Sequence, residues 1–479
     1  MILSSDRKKH LHFVGIGGIG MSALAQVFHK RGFSVSGSDS SKNSITSHLK
    51  ENGIKMFKTQ NSSNIIDITK NLDKDPIIIY SSAIHENNDE LRISKLLKLK
   101  IIHRADLLQI LIKKHNSICV SGTHGKTTTS TYIATLLTLC QKDPTAIIGG
   151  IVPLFKSNSR IGKSNLIVAE ADESDGTITK LKSNITLITN IELDHTNHYP
   201  NIGKLIKTMQ EFSSESENLI ANYDCNILRN NFSANAWWSN KKISKVKYSV
   251  ILKYQDGNNI IAKYFENSIY ITDISIPVAG VHNLNNVTGA ISACREIGIP
   301  IEIICENLKY LKSPKRRFEI KGYLNNRLFI DDYAHHPTEV KATLSHAKSL
   351  IINKNNSLKI NPKRIITIFQ PHRYSRTADL FKDFSKSFND TNILILAPIY
   401  SAGERPIKEI NIENLAINIR KYNPKIIIKT AKNFNQIIKL IEITTKNDDL
   451  IITMGAGNID KIWNILNDNI QTKLFLQAA

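Results

Sequence analysis

Two glycine-rich turns carry the first chemical message of this 479-residue chain. One reads Gly15-Ile16-Gly17-Gly18-Ile19-Gly20. It follows the apolar run 10–14 and opens a helical stretch over 20–30. Glycines let a backbone approach a diphosphate closely, and the N–H groups and dipole of a helix start favour its charge. Asp39 ends the next apolar run, where a carboxylate can hydrogen-bond a ribose hydroxyl. The pattern suits a diphosphate joined to a ribose. A dinucleotide and a sugar nucleotide both satisfy it, so an NAD-dependent dehydrogenase stays open here.

The other turn is Gly122-Thr123-His124-Gly125-Lys126-Thr127-Thr128. It follows the apolar run 117–121 and starts a helix over 127–140. It is a shortened P-loop, with two residues between the first Gly and Gly125-Lys126-Thr127. Backbone N–H groups there can cradle phosphates, Lys126 can reach the β- and γ-phosphates, and Thr127 can ligate Mg²⁺. ATP cleavage has no part in hydride transfer, so this turn argues against a simple dehydrogenase.

Two acidic clusters end later apolar runs. They are Glu170-Ala171-Asp172-Glu173-Ser174-Asp175 and Asn190-Ile191-Glu192-Leu193-Asp194-His195. Strand ends of a parallel sheet face the ligand crevice, and hard oxygen ligands there suit Mg²⁺. His195 can serve a second Mg²⁺ or the phosphate itself. Further on, Asp331-Asp332-Tyr333-Ala334-His335-His336-Pro337-Thr338-Glu339 and Gln370-Pro371-His372-Arg373-Tyr374-Ser375-Arg376-Thr377 follow two more apolar runs. Two arginines three apart suit phosphate or carboxylate recognition.

The elements that must position these groups are legible as alternation. Strands are predicted at 10–14, 33–36, 76–80, 117–121, 166–169, 185–189 and 219–221. Residues 246–276 alternate apolar and polar, with turns at Asp256-Gly257 and Glu266-Asn267-Ser268, which predicts an antiparallel patch. A helix is predicted over 282–308. Strands return at 328–330, 364–369, 392–397, 425–429 and 450–454. The fold class is therefore α/β throughout. The length suggests three domains, over residues 1–114, 115–320 and 321–479.

The net charge of +21 invites a nucleic-acid reading. It is spread as +8, +4 and +9 over those three parts, with no basic block longer than three residues. That favours a generally basic surface, with neither nucleic acid nor membrane as partner. Arg7, Lys8 and Lys9 precede an apolar stretch broken by glycines, which reads as strand and turn and not as a signal peptide. No run approaches the ~20 apolar residues of a membrane span. Five cysteines without a C-x-x-C pair fit a reducing cytoplasm better than a disulfide framework.

Taken in order, G-I-G-G-I-G-M-S, G-T-H-G-K-T-T-T, E-A-D-E-S-D, N-I-E-L-D-H, H-N-L-N-N, R-R-F-E, D-D-Y-A-H-H-P-T-E, Q-P-H-R-Y-S-R-T and A-P-I-Y-S-A-G-E resemble the Mur ligases of peptidoglycan synthesis. The resemblance runs from His12 to about Asn458 and points to the alanine-adding branch and its close relatives. It implies an N-terminal Rossmann-like domain, a central P-loop ATPase-type domain and a C-terminal Rossmann-like domain. It implies ATP-dependent ligation of L-alanine to the carboxylate of UDP-N-acetylmuramate through an acyl-phosphate, with Mg²⁺. A ligase adding a ready-made tripeptide remains the near alternative.

Residue by residue, the resemblance puts the ATP phosphates on Gly122, Thr123, His124, Gly125, Lys126, Thr127 and Thr128. Thr127 and Glu170 would hold one Mg²⁺, and His195 a second. Asn283 and Asn286 fall in the adenine-side motif. Arg317 would stabilise γ-phosphate charge, and Asp332 would anchor the nucleotide from the third domain. Gly15, Gly17, Gly18, Ile19, Gly20, Met21, Ser22 and Asp39 would hold the UDP part. His335, Arg373 and Arg376 would face the muramate and acyl-phosphate, with His335 the candidate base for the amine. Departures are Ala23 and Ala334, where the family often has Gly, and the segment 86–90, which lacks the expected Pro.

Overall fold

The computed structural model describes residues 9–466, except 42, 73, 257–258, 279 and 353–357. Arg7, Lys8 and Gly257 of the Asp256-Gly257 turn lie outside the described residues. The chain builds three α/β domains, each around its own sheet.

The first sheet is wholly parallel. Its order is Lys55–Phe57, Ser34–Ser38, His10–Val14, Ile77–Tyr80, Lys100–His103. The central strand His10–Val14 is buried along its whole length. Its two histidines are tied to the neighbouring strand, with His10 Nε2 and His12 Nδ1 in hydrogen bonds to Ser36 Oγ at 2.6 and 2.8 Å. Strand order reverses beside this strand, and the Gly15–Gly20 turn leaves from its C-terminal end, the usual ligand crevice of such sheets. The helix Ile19–Lys30 that follows buries Met21 through Phe28.

The middle sheet has ten strands. Asn116–Ser121 lies between Ile185–Ile188 and Leu166–Glu170, all parallel. The P-loop and both acidic clusters thus leave three adjacent strand ends. The predicted antiparallel patch is real but is not separate. Tyr248–Asp256 pairs in parallel with Ala236–Ser239, and Asn259–Glu266 and Ile269–Ile276 extend the same sheet antiparallel. The predicted helix over 282–308 is two helices, Val281–Glu296 and Ile301–Leu308. Gly298, at φ +84°, and Pro300 stand between them, a left-handed stop followed by a residue that cannot continue the helix. On the opposite flank Thr145–Val152 and Ser157–Arg160 form a pair that the strand reading lacks. The first carries Gly149-Gly150 and the second is entirely polar, so neither shows a strand's hydrophobic pattern.

The third sheet runs Glu319–Leu324, Arg327–Asp332, Asp449–Met454, Arg364–Phe369, Ile393–Leu396, Ile427–Thr430, parallel apart from its first edge strand.

The domains do not meet in one way. A single hydrophobic cluster joins the first and middle domains, including Leu24, Leu108, Ile147, Ile178 and Leu205. The third domain has its own clusters, one around Ile330, Phe369 and Leu396 and one around Ile366, Ile395 and Ile451. Among the described residues no helix is long and apolar enough to cross a membrane. All five cysteines are free.

Candidate active site

The Gly15–Gly20 turn is closed by its own strand neighbours. Gly15 N–H and Ile16 N–H donate to Ser38 O at 2.9 and 3.0 Å. Asp39 Oδ2 accepts from Gly17 N–H at 2.8 Å, and Oδ1 accepts from Ser41 N–H and Oγ–H at 2.8 and 2.6 Å. The carboxylate read as a ribose partner is thus also the brace of the turn. A Cβ on Gly17 would stand 2.7 Å from Asp39 Oδ2. Asn158 holds the turn from the middle domain, donating to Ile19 O at 2.7 Å and Ser22 Oγ at 3.0 Å. Nothing in the sequence motif signals Asn158, which lies 139 residues from Ile19.

The second turn is braced by the loop after Ile185–Ile188. Thr123 N–H donates to Asn190 O at 3.0 Å, His124 N–H to Asn190 Oδ1 at 2.9 Å, and Asn190 Nδ2 to His124 O at 2.9 Å. Gly125 has φ +82°, and a Cβ there would run into Asn286 Oδ1, which also accepts from Thr129 Oγ1. Asn286, on the helix Val281–Glu296, therefore presses against the loop and shapes it. Thr128 is buried.

Lys126 Nζ donates to Gly122 O at 2.6 Å, Thr123 O at 3.2 Å and Glu173 Oε1 at 2.9 Å. Thr127 Oγ1 donates to Glu170 Oε1 at 2.9 Å, and Glu170 Oε2 accepts from Gly149 N–H at 2.8 Å. His195, at φ +53°, sits with Nε2 3.7 Å from Glu173 Oε1. The structure thus gathers Lys126, Thr127, Glu170 and His195 and adds Glu173, whose place in an acidic run gave it no individual signal.

The electrostatics are one-sided. Glu170, Asp172 and Glu173 crowd around Lys126. Burial pushes Glu173 up to about 7, against the pull of Lys126. Burial raises Glu170 as well, although Lys126 and Gly149 oppose it. Burial would lower Lys126, but Glu173 and Asp172 outweigh it and lift the amine to about 12. Three carboxylates against Lys126 and the Arg104 guanidinium on Asp172 leave room for further positive charge. The hard donor pair Thr127 and Glu170 fits a magnesium ion by that chemistry.

The third domain closes over the second turn through polar pairs. Arg376 Nε and Nη2 donate to Asp194 Oδ1 and Oδ2 at 3.0 and 3.1 Å, in a buried bidentate pair. Burial would raise Asp194, but Arg376 and His195 hold it far below the usual carboxylate range. Arg376, read as facing the substrate, is therefore engaged with the middle domain here. His124 bridges Glu192 at 3.0 Å and Glu339 at 3.3 Å. Burial would lower this histidine, yet those two carboxylates lift it to about 9. Thr338 Oγ1 donates to Glu192 Oε1 at 2.6 Å.

The remaining candidates line the same seam. Arg317 Nη1 is 3.8 Å from Glu339 Oε1, with its guanidinium over the Tyr333 ring. Asp332 accepts from Phe318 N–H and Ala334 N–H, and burial lifts it to about 6 against Arg317. Arg317, Asn283, Phe318 and His346 line a cavity of about 330 Å³ beside the P-loop helix. Arg373 has φ +70° and a buried Nε without a partner among the described residues. His335 hydrogen-bonds Tyr333 O at 3.0 Å, and burial pushes it down to about 4. It is neutral at pH 7 but weakly basic, less than a general base working near neutrality wants.

Between the two turns lies a second cavity of about 130 Å³. Ile19, Gly20 and Arg104 line it together with Gly149, Glu170 and Asp172 and with apolar side chains such as Leu24, Leu108 and Ile178. Arg104 pairs with Asp172 at 3.3 Å and Asp175 at 3.7 Å across the same gap.

Three family models match nearly end to end. They are the catalytic domain of the Mur ligase family over residues 10–116, the Mur ligase middle domain over 120–294, and the Mur ligase glutamate ligase domain over 316–457. A UDP-N-acetylmuramate–L-alanine ligase of Prochlorococcus marinus (strain NATL1A) is 48% identical over 97% of this chain and 93% of its own. One from Synechococcus sp. (strain CC9605) is 44% identical over 96% and 98%. The solved UDP-N-acetylmuramate–alanine ligase of Thermotoga maritima superposes with a TM-score of 0.80 at 24% identity, over 97% and 99% of the two chains. A murein peptide ligase from Psychrobacter arcticus gives 0.68 at 21%, over 96% and 98%. At those identities the two structures speak for the fold.

Proposed function

The chain belongs to the Mur ligase family, and from that premise we propose that it joins L-alanine to the carboxylate of UDP-N-acetylmuramate, cleaving ATP to ADP and phosphate. The observation that carries the reading is the cavity joining Ile19 and Gly20 of the first turn to Glu170 and Gly149 beside the second. A sugar nucleotide whose diphosphate rests on the first turn would send its carboxylate through that gap to the P-loop.

A carboxylate resists attack by an amine because its charge is delocalised and oxide is a poor leaving group. Its oxygen first attacks the γ-phosphorus of ATP, and ADP leaves. The amine then attacks the acyl carbon, and phosphate departs from the tetrahedral intermediate. Phosphoryl transfer needs mainly positioning and charge neutralisation. Lys126 would exchange Glu173 for the β- and γ-phosphates, with the loop N–H groups cradling them. Arg317 would add charge from the seam, and Asn283 the adenine side of its cavity. Thr127 and Glu170 would hold one Mg²⁺ and His195 a second, and bound Mg²⁺ would neutralise phosphate charge. Asp332 would anchor the nucleotide from the third domain. Arg373 and Arg376 would meet the muramate and the acyl-phosphate. His335 would take the amine proton once a charged substrate raises its basicity.

The polar seam suits this cycle. A domain held by ion pairs can part and reclose, whereas one sharing a hydrophobic cluster cannot do so cheaply. Closure would shield the acyl-phosphate from water. The reaction would run in the cytoplasm, and the dispersed surface charge calls for no nucleic-acid partner. The test is phosphate release with UDP-N-acetylmuramate plus L-alanine, glycine, L-serine or a tripeptide at equal concentration. L-Alanine is expected to give the highest rate. A preference for the tripeptide would move the chain to the recycling branch. NADH formation without ADP would sink the ligase reading.

A further inference from the structure

We propose that His124, Glu192 and His336 form a site for a transition-metal dication of the zinc type, distinct from the magnesium positions, and that a bound ion clamps the third domain to the P-loop. One ligand atom from each residue lies within 4.8 Å of the others. The residues come from three separate loops: the P-loop, the loop after Ile185–Ile188, and the loop after Arg327–Asp332. Glu192 Oε2 is 3.0 Å from His124 Nε2 and 3.9 Å from His336 Nδ1. The two imidazoles are tilted against each other at 4.7 Å between centroids. Ligand bonds of ~2.0–2.2 Å in tetrahedral geometry separate donor atoms by roughly 3.4 Å.

The surroundings resemble a built site. His124 Nδ1 faces Glu339 Oε1 at 3.3 Å, the carboxylate–histidine arrangement that orients a metal-binding imidazole. Thr338 Oγ1 steadies the other oxygen of Glu192. His336 is buried; its Nδ1, the atom nearest Glu192, accepts from Thr338 N–H at 3.3 Å, a contact that a metal at Nδ1 would replace, and its Nε2 has no hydrogen-bond partner among the described residues. Glu192 is 41% exposed, which leaves a route of entry and an open fourth position for water. Two imidazoles with one carboxylate favour a zinc-like ion, whereas magnesium takes oxygen donors. Because His124 belongs to the loop that cradles phosphate, a metal there would hold the seam shut and slow turnover.

The test is calorimetric titration of the nucleotide-free full-length protein with Zn²⁺, in the presence of excess Mg²⁺. One equivalent is expected to bind and to resist displacement by Mg²⁺. His336→Asn and Glu192→Gln are each expected to weaken it by about tenfold or more. His336→Asn should also keep its zinc-free ligation rate while losing inhibition by zinc. The absence of stoichiometric binding would overturn the proposal, as would zinc binding that both variants retain or that Mg²⁺ displaces. Should His336→Asn not fold, Glu192→Gln carries the test. The calorimetry reads the metal directly, so failure of the ligation reading would leave its result intact.

Discussion

The two glycine turns share one plan and differ in what stands behind them. Each leaves the C-terminal end of a central parallel strand and starts a helix. Behind Gly15–Gly20 the nearest carboxylate, Asp39, is engaged in bracing the turn, and no lysine reaches it from within the motif. Behind Gly122–Thr128 stand Lys126, Glu170, Glu173 and His195, crowded, buried or half-buried, and electrostatically unbalanced. The backbone of such a turn makes a phosphate cradle. The charged side chains behind it decide whether phosphate is merely held or transferred. In this protein the first turn is read as a handle and the second as the reaction centre.

Lys126→Ala is the sharpest way to break that comparison. It should lower phosphate release by ~10³-fold or more, because it removes a preorganised charge at the transferring phosphate. Near-normal turnover would erase the distinction between the turns. Glu170→Gln should cost ~10²–10³-fold and raise the Mg²⁺ concentration needed for half-maximal rate. A loss with unchanged magnesium dependence would place Glu170 in the scaffold. Gly17→Ala should act on the handle alone. Its Cβ meets the Asp39 carboxylate and Thr46, so KM for the sugar nucleotide should rise by roughly tenfold while kcat at saturation changes little.

The smallest effect concerns the seam. His124 is lifted from 6.5 to about 9 by Glu192 and Glu339. A folded-state pKa above the unfolded one contributes stability that is fully present below pH 6.5. That contribution is lost as pH rises through about 9. The melting temperature should therefore fall by about 2–4 °C between pH 7 and pH 10. His124→Gln should flatten that dependence, and an unchanged slope would remove His124 from the seam's electrostatics.

Much of this contrast was legible in the sequence because it is local. Strand, glycine turn and helix start sit within about a dozen residues, and their apolar runs announce them. The α/β class followed from the same runs. What was hidden depends on distance. Arg376 meets Asp194 across 182 residues, and His124 meets Glu339 across 215. No periodicity encodes such pairs, so the sequence offered Arg376 as a substrate arginine without its pairing to the buried Asp194 carboxylate. The strand Ser157–Arg160 was hidden for another reason. It is polar because it lies at a sheet edge against the helix Ile19–Lys30, where Asn158 works by hydrogen bonding and not by apolar burial.

The most direct test of the division between handle and reaction centre is calorimetric titration of UDP-N-acetylmuramate into the wild-type protein and Lys126→Ala, beside phosphate release from both. The expected result is binding within about threefold, a difference of under ~0.7 kcal/mol, with turnover abolished in the variant. Loss of binding on the scale of the loss in turnover would contradict it.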